Sequence, residues 1–328
     1  MTRKIDWENQ IGRRLKLRDL HVFFTVVQRG SMAKAAAQLG VSQPAVSEVI
    51  SDLEHTLGVR LLDRSPRGVE PTTYGRALLK RATVAFDELK QSIRDIEFLA
   101  DPSVGEVQLG CAEATASGLL PPFLIQFMQQ YPGVTPHVKP LATPTLELAA
   151  LRDRSLDFIL ARFRGSPDGE NDDLEIETLF DDHLVIAAGT HNRWTARRKI
   201  ELAELVGEPW VMTPPNTWNT MILSEAFRAK GLDAPKPCLV SFSVHLRANM
   251  LERGPFLAPF PASIMRMNAS EFALKTLPVE LPTIAWPVSI VTLKNRTLTP
   301  VAQLFIDQLR AFTRAMVAEE TQRARVPA

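Results

Sequence analysis

The stretch "SMAKAAAQLGVSQPAVSEVISDLEHTLG", from Ser31 to Gly58, decides the fold of the N-terminal region because it predicts two short helices joined by a glycine turn. Ser31 and Ser42 stand where the helices begin, and serine is a preferred N-cap residue. Gly40 separates the helices, and Pro44 fits the first turn of the second one. Apolar residues recur at helical spacing in both: Met32, Ala35, Ala36 and Leu39, then Val46, Val49, Ile50, Leu53 and Leu57. Helices this short need a larger helical unit to bury their apolar sides.

The second helix turns short, mostly polar side chains outward near its start. They are Gln43, Ala45, Ser47, Glu48 and Ser51. A helix, a short turn containing glycine and a second helix of this kind form the geometry that fits the DNA major groove. Glutamine pairs with adenine, serine with either kind of base edge, and alanine contacts a thymine methyl group. A small helical bundle with a solvated polar face is the alternative.

The flanking segments favour DNA binding. The preceding segment, "LKLRDLHVFFTVVQRGS", predicts another amphipathic helix. The following segment, "VRLLDRSPRGVEPTTYG", predicts a β-hairpin wing whose tip brings Arg64 and Arg67 to phosphates or the minor groove, with a solvated basic loop as the alternative. Met1 to Arg81 carries 14 Lys and Arg against 8 Asp and Glu, whereas the remaining residues carry 24 against 29. The basic end therefore suits a polyanion.

The order "AAAQLGVSQPAVSEVISDLEHTLGVRLLDRSPRGVEPTTYG" resembles the N-terminal signature of LysR-type transcriptional regulators. The resemblance implies a winged helix-turn-helix domain on a long dimerising helix, followed by an effector domain built like a periplasmic solute-binding protein. The predicted DNA-binding residues are Ser31, Ser42, Gln43, Pro44, Ala45, Ser47, Glu48, Ser51, Arg64 and Arg67. Glu48 departs from the family, in which this position is often basic or small. We expect its carboxylate to read a base, through the cytosine amino group, or to restrain non-specific affinity.

The segment from Thr72 to about Leu99 predicts one long helix, because it has no proline and no glycine after Gly75. Its apolar residues form a narrow stripe: Leu78, Ala82, Ala85, Leu89, Ile93 and Ile96. A narrow stripe is typical of a helix that pairs with another helix, so we expect a homodimer seam. Packing against its own domain is the alternative. Two-fold pairing would place two recognition helices on a pseudo-palindromic promoter site, and the family resemblance implies homotetramers.

Beyond the linker "DPSVGE", predicted strands and helices alternate, which indicates a parallel sheet in an α/β domain. Segments such as "GLLPPFLIQFMQQYPGV" and "LFDDHLVIAAGTHNRW" resemble landmarks of the LysR-type effector domain. The resemblance implies two Rossmann-like subdomains of the type 2 periplasmic-binding-protein fold. The predicted limits are 1–71 for the DNA-binding domain, 72–104 for the linker helix and hinge, and 105–328 for the effector domain. Within the latter, subdomain I comprises 105–178 and 282–328, and subdomain II comprises 179–281.

Open α/β sheets bind ligands beyond the carboxyl ends of their strands, where this sequence places several polar turns. The candidate effector-binding residues are Glu113, Thr115, Ser117, Thr143, Arg162, Thr213, Asn216, Trp218 and His245. Hydrogen-bonding groups beside an indole would hold a sugar, whereas Arg162 and helix N-termini would hold a small carboxylate. The stretch from "TPPNTW" onward is similar to the galactose-binding-protein regulator branch of the family, which favours an aldose. Local caps and turns are the alternative interpretation of these residues.

Other functional classes find less support in the sequence. It contains no GxSxG, P-loop, GxGxxG or HExxH motif, so we expect no catalytic residue and no cofactor. Its two cysteines, Cys111 and Cys238, form no metal-binding pattern, and we expect no metal site. The opening residues lack an apolar h-region, and no run of 18 apolar residues occurs, so we expect a cytoplasmic protein with no membrane partner. A metabolic enzyme with a helical appendage and a solute-binding protein remain alternatives, and RNA polymerase is a possible further partner.

Overall fold

The computed structural model describes residues 15–65, 68–101, 103–141, 144–163, 171–268, 271–282 and 285–325. The chain divides into two compact units, Met1–Ser92 and Ile93–Ala328. Among the described residues, no helix is long and apolar enough to cross a membrane.

Three short helices build the first unit: α1 (Leu17–Arg29), α2 (Met32–Leu39) and α3 (Gln43–Leu57). The hydroxyl of Ser31 accepts a hydrogen bond from the Lys34 N–H, and that of Ser42 accepts one from the Ala45 N–H, so both serines cap helices as their positions predict. Gly40 ends α2 in the left-handed conformation, with φ of 67°. The predicted apolar stripes meet in one core, in which Phe23, Val26, Ala35, Val46 and Ile50 are buried.

The predicted wing is present as the antiparallel pair β1 (Leu62–Ser65) and β2 (Gly68–Pro71). The carboxylate of Glu54, on α3, accepts hydrogen bonds from the N–H groups of Leu61 (2.7 Å) and Leu62 (3.1 Å). The carbonyl of Gly30 accepts one from the Val69 N–H at 2.9 Å. A Cβ at Gly68 would lie 2.7 Å from that carbonyl oxygen, so only glycine fits where the wing meets the helices.

The long helix predicted after the wing is α4 (Thr73–Ala100), which begins in the first unit and ends in the second. Ala82 is buried, whereas several apolar residues further along are exposed: Leu89, Ile93, Ile96 and Leu99, the last of them 80% exposed. Phe98 packs against an apolar core of the second unit. Most of the predicted stripe in the second half of α4 therefore has no apolar cover within the described chain.

The second unit contains two five-stranded sheets. The first has the strand order β4-β3-β5-β12-β6 and consists of β3 (Val104–Ala112), β4 (Gly133–Leu141), β5 (Phe158–Arg162), β6 (Leu174–Asp182) and β12 (Trp286–Leu293). Its helices are α5 (Glu113–Gly118), α6 (Leu120–Gln130), α7 (Pro144–Arg152) and the C-terminal α11 (Pro300–Arg325). In its core, Phe123 and Phe127 each pack edge to face on Phe305.

The second sheet has the order β11-β7-β10-β8-β9. Its strands are β7 (Leu184–Gly189), β8 (Trp210–Met212), β9 (Pro237–Val240), β10 (Leu257–Pro261) and β11 (Leu274–Thr276). Its α-helices are α8 (Trp218–Ala229), α9 (Val244–Arg253) and α10 (Ala262–Asn268). Two 3₁₀ turns, Arg193–Ala196 and Leu202–Leu205, lie between β7 and β8.

Both sheets are mixed, whereas strands alternating with helices predicted parallel ones. β3 is parallel to β4 and β5, but β12 is antiparallel to β5 and β6. The reason is that the chain changes sheets twice, between β6 and β7 and again between β11 and β12, so a strand that returns from the other sheet enters in the opposite direction. The first sheet is therefore discontinuous in sequence. The numerical domain limits stay a prediction.

A candidate DNA-recognition face and a candidate effector cleft

The start of α3 presents the predicted polar side chains on one side of the helix. We call this surface the recognition face and define it by Gln43, Pro44, Ala45, Ser47, Glu48 and Ser51. Gln43, Pro44, Glu48 and Ser51 are exposed, and Ala45 and Ser47 are half-buried. Val46, Ile50 and Leu53 lie on the opposite side of α3, where they are at most 1% exposed. The helical period thus separates a packed side from a side free to meet another molecule.

The wing is connected to the recognition face by a side-chain contact. Arg64, exposed on β1, donates a hydrogen bond from Nη1 to the Ser47 hydroxyl at 3.3 Å. A guanidinium next to a polar helix start supplies the cationic donors that phosphate contacts use. Arg67, predicted at the wing tip, lies outside the described residues. The Ser31 and Ser42 hydroxyls cap helices, so both serines have a structural role whether or not they also contact DNA.

In the second unit, a largely buried cluster joins residues from strands and helices that belong to both sheets. We call it the cleft cluster and define it by Thr115, Arg162, Asp182, Trp218 and Ser263. Arg162, at the end of β5, donates from Nη2 to the Asp182 carboxylate and to the Ser263 hydroxyl (3.2 Å), and from Nη1 to the Thr115 hydroxyl (3.3 Å). The Arg162 side chain is 7% exposed and that of Asp182 is fully buried. Arg162 and Thr115 were each predicted as effector-binding residues, and the fold brings them into contact; their effector role stays a prediction.

Asp182 is held as a carboxylate by its surroundings. Burial raises the pKa of the Asp182 carboxyl, but the charge of Arg162 and hydrogen bonds from Ser263 and Arg162 outweigh burial, so the pKa lies below its ordinary value. The Ser263 hydroxyl donates at 2.6 Å and its N–H at 3.2 Å, and the His183 N–H donates at 3.0 Å. The cluster therefore contains a buried ion pair whose anion has its full set of donors.

Trp218, the first residue of α8, lies against the guanidinium of Arg162, with 5.3 Å from Cζ to the ring centroid. The indole N–H of Trp218 and the Nε–H of Arg162 are buried, and neither has a hydrogen-bond partner among the described residues. Both groups are donors only. A ligand that reached this place would need acceptor oxygens to satisfy them.

A second contact between the two halves of this unit lies at the start of α9, where α5 of the first sheet meets α9 of the second. Glu113, at the start of α5, accepts a hydrogen bond through Oε1 from the N–H of Val244 at 2.8 Å. Arg247, one turn further on, is 1% exposed and donates to the Pro259 carbonyl at 3.0 Å, with its guanidinium 4.4 Å from the Phe260 ring centroid. Burial lowers the pKa of Arg247 to about 10, and the charge of Glu113 opposes this. Glu113 is thus a counter-charge for both Arg247 and the helix start.

The remaining predicted effector residues are distributed around this region. The Thr213 hydroxyl bonds with those of Thr217 (2.5 Å) and Thr220 (3.0 Å), so it stabilises the start of α8. The Ser117 carbonyl accepts from the Asn268 side chain. Asn216 is exposed, and the exposed His245 ring packs edge to face on Phe272. Thr143 lies outside the described residues. These assignments stay predictions.

Sequence reasoning missed Asp182, Ser263 and Arg247. A usable signal exists for Arg247, because Val244, Arg247, Ala248 and Leu251 share the buried face of α9, and a cation on an apolar stripe needs an explanation. No comparable signal marks Asp182 or Ser263, which meet Arg162 only in the folded chain.

Cys111 is completely buried, and burial raises the pKa of its thiol, so it has the character of a structural cysteine and not of a nucleophile. Among the described residues, no group of three or more His, Cys, Asp and Glu could hold a metal ion.

Comparison with family models identifies both parts of the chain. Residues 17–76 match the model described as "Bacterial regulatory helix-turn-helix protein, lysR family". Residues 100–314 match the model described as "LysR substrate binding domain". The chain belongs to the LysR family of transcriptional regulators, which confirms the resemblance seen in the sequence, and it is a ligand-responsive DNA-binding regulator.

Relatives along the whole chain agree with this assignment. The transcriptional regulator GbpR of Azospirillum brasilense is 27% identical over 300 residues, covering 91% of this chain and 86% of that protein. Full-length CbnR, solved in complex with its target DNA, has a TM-score of 0.52 at 23% identity and covers 91% of this chain and 100% of that one. A full-length OxyR variant from Pseudomonas aeruginosa has a TM-score of 0.61 at 19% identity, covering 92% and 95%. The two structures support the fold.

Proposed function

We propose that this regulator reads promoter DNA with the recognition face and Arg64, and responds to a small molecule that binds at the cleft cluster. The observation that carries the proposal is the start of α3, where polar side chains are exposed while the other side of the helix is packed. Gln43 and Ser47 supply base-edge donors and acceptors, and Ala45 supplies a methyl group for thymine. Glu48 would select cytosine or weaken non-specific binding by repelling phosphate.

The regulator works, in this proposal, as a homodimer or a homotetramer on a pseudo-palindromic site. The exposed apolar residues Leu89, Ile93 and Ile96 on α4 support a helix-to-helix seam. A two-fold dimer presents two copies of α3 to DNA, which matches the symmetry of paired half-sites. Because promoter DNA lies in the bacterial cytoplasm, we propose that the protein acts there, with RNA polymerase as a further partner.

The effector acts by shifting populations. A small molecule changes DNA binding only if it binds one shape of the assembly better than another, so we propose that occupation of the cleft changes the oligomer's shape and the bend of the promoter. Elements of both sheets meet at the cleft cluster, so a bound molecule contacts groups whose relative position it can alter. We assign no catalytic step to any residue.

DNase footprinting with the full chain, on promoter DNA upstream of the gene that encodes it, tests the proposal. Gln43→Ala should lower the affinity for the protected operator about 5- to 150-fold, because a bidentate base contact contributes about 1–3 kcal/mol of discrimination. Gln126→Ala, at an exposed glutamine of α6, is the matched control and should leave the footprint unchanged. Equal footprints for both variants would contradict the assignment of α3 as the recognition helix.

Salt dependence tests the wing. Arg64→Ala should lower DNA affinity for all sequences and reduce the salt slope by about one unit, as expected for the loss of one phosphate contact. Arg314→Ala, which removes an exposed arginine of α11, is the control.

Glu48→Ala should change base preference or raise non-specific affinity; no change in either would remove Glu48 from the proposal.

A further inference from the structure

We infer that the effector is an uncharged, polyhydroxylated molecule, a sugar or a polyol, and not an acid. The inference rests on the proposed function in one respect, namely that the effector binds at the cleft cluster and the neighbouring start of α9. The proposed function itself left a neutral sugar and a small carboxylate open.

The first argument is charge balance. The two buried cations at this place already have carboxylates of the chain beside them: Arg162 pairs with Asp182, and Arg247 has Glu113 nearby. An acidic effector would bring a further negative charge close to Glu113 and Asp182. At low local dielectric, such like-charge contacts cost far more than they do in water. Neither Arg162 nor Arg247 is therefore a cation without a counter-charge that an acid could supply.

The second argument concerns the backbone donors that anions prefer. The N–H of Val244, at the start of the ten-residue helix α9, donates to Glu113, and the N–H of Ser263 donates to Asp182. A ligand carboxylate that bound either of these N–H groups would have to displace the carboxylate already there. The displaced carboxylate would then lose its hydrogen bond in a partly buried place, which is unfavourable. At these two positions, a carboxylate of the chain already occupies the place of an anion.

The third argument is the hydrogen-bond inventory. Arg162 Nε–H and Trp218 Nε1–H are buried donors without a partner among the described residues, so the ligand must accept. The half-buried Glu113 carboxylate uses only Oε1 in the hydrogen bonds of the described chain, so its second oxygen is available to accept from a ligand that donates. A hydroxyl group does both, whereas an ionised carboxylate only accepts. The Trp218 indole adds a flat apolar surface of the kind that contacts the C–H groups of a sugar ring.

Matched pairs of compounds that differ only in charge test the inference. The full chain is equilibrated with a mixture of galactose and galacturonate, and of glucose and glucuronate, and the compounds retained after ultrafiltration are measured by mass spectrometry. We expect at least one neutral member to be retained with an affinity ten or more times that of its acid. Preferential retention of an acid, or retention of no neutral compound, overturns the inference.

Two variants separate the charge argument from a general loss of structure. Glu113→Gln keeps the size of the side chain but removes one internal anion, so the preference for the neutral member should fall at least fivefold. Glu106→Gln, which removes an exposed carboxylate on β3, should leave the preference unchanged. An unaltered preference in Glu113→Gln overturns the inference. Promoter discrimination is measured on the same preparations: its loss contradicts the proposed function, whereas acid retention with intact promoter binding contradicts only the neutral effector.

Discussion

The recognition face and the cleft cluster arrange their polar side chains in opposite ways, the first at the surface and the second mostly in the interior. The recognition face comes from one short run of sequence and is largely exposed, and a hydrogen bond between Ser47 and Arg64 connects it to the described part of the wing. The cleft cluster collects side chains from five separate segments and buries most of them. An ion pair, several hydrogen bonds and the contact between Arg162 and the Trp218 ring link them. A substitution on the recognition face should therefore change DNA binding with little effect on stability, whereas a substitution in the cleft cluster should change both stability and ligand response.

The largest expected effect follows from removing the buried anion. Asp182→Ala leaves Arg162 buried without its counter-charge and should lower the free energy of unfolding of the second unit by about 3–5 kcal/mol. Urea unfolding of the full chain followed by tryptophan fluorescence measures this, because four of the five tryptophans belong to that unit. Asp181→Ala, at the exposed neighbouring position, should stay within about 0.5 kcal/mol of the wild type. Similar losses of unfolding free energy in both variants would contradict the contrast between buried and exposed polar groups.

A smaller loss of stability is expected from the partly buried contact between Glu54 and the start of the wing in the first unit. Glu54→Ala removes the acceptor of the Leu61 and Leu62 N–H groups and should cost about 1–3 kcal/mol. Amide hydrogen exchange at these two residues measures the loss directly. Glu48→Ala is the matched control on the same helix, and its exposed carboxylate should contribute little to stability. If Glu54→Ala left both amides protected, the wing would not depend on this carboxylate.

These two regions also differ in how far the sequence could predict them. The recognition face could be predicted because caps, a glycine turn and a helical apolar stripe are all local signals, and the same holds for the wing. The cleft cluster could be predicted only in part. Arg162 follows a recognisable strand, but its partners Asp182 and Ser263 lie 20 and 101 residues away and carry no local mark. Their role depends on the two chain crossings between the sheets, which also make the sheets mixed.

Loss of the N-cap of α3 should lower the free energy of unfolding by about 1 kcal/mol. Ser42→Ala removes the hydroxyl that accepts from the Ala45 N–H, and loss of an N-cap typically costs this much. Thermal unfolding by circular dichroism measures the change. Ser51→Ala, on the exposed side of the same helix, should be neutral or slightly stabilising, since alanine is the better helix former. Equal stability of the two variants would show that Ser42 is not needed to start α3.

The smallest expected effect is that of mild acid on the cleft cluster. Because the pKa of Asp182 in the folded chain lies below its ordinary value of 3.8, its stabilising contribution is fully present above that value and is lost as the pH falls through the lowered pKa. The difference in unfolding free energy between the wild type and Asp182→Asn should thus stay constant from about pH 8 to pH 5 and shrink only in stronger acid. Urea unfolding of both proteins across this range measures it. A difference that already shrank near pH 6 would mean that Asp182 begins to bind a proton there, which would contradict a lowered pKa and weaken the charge balance of the cleft cluster.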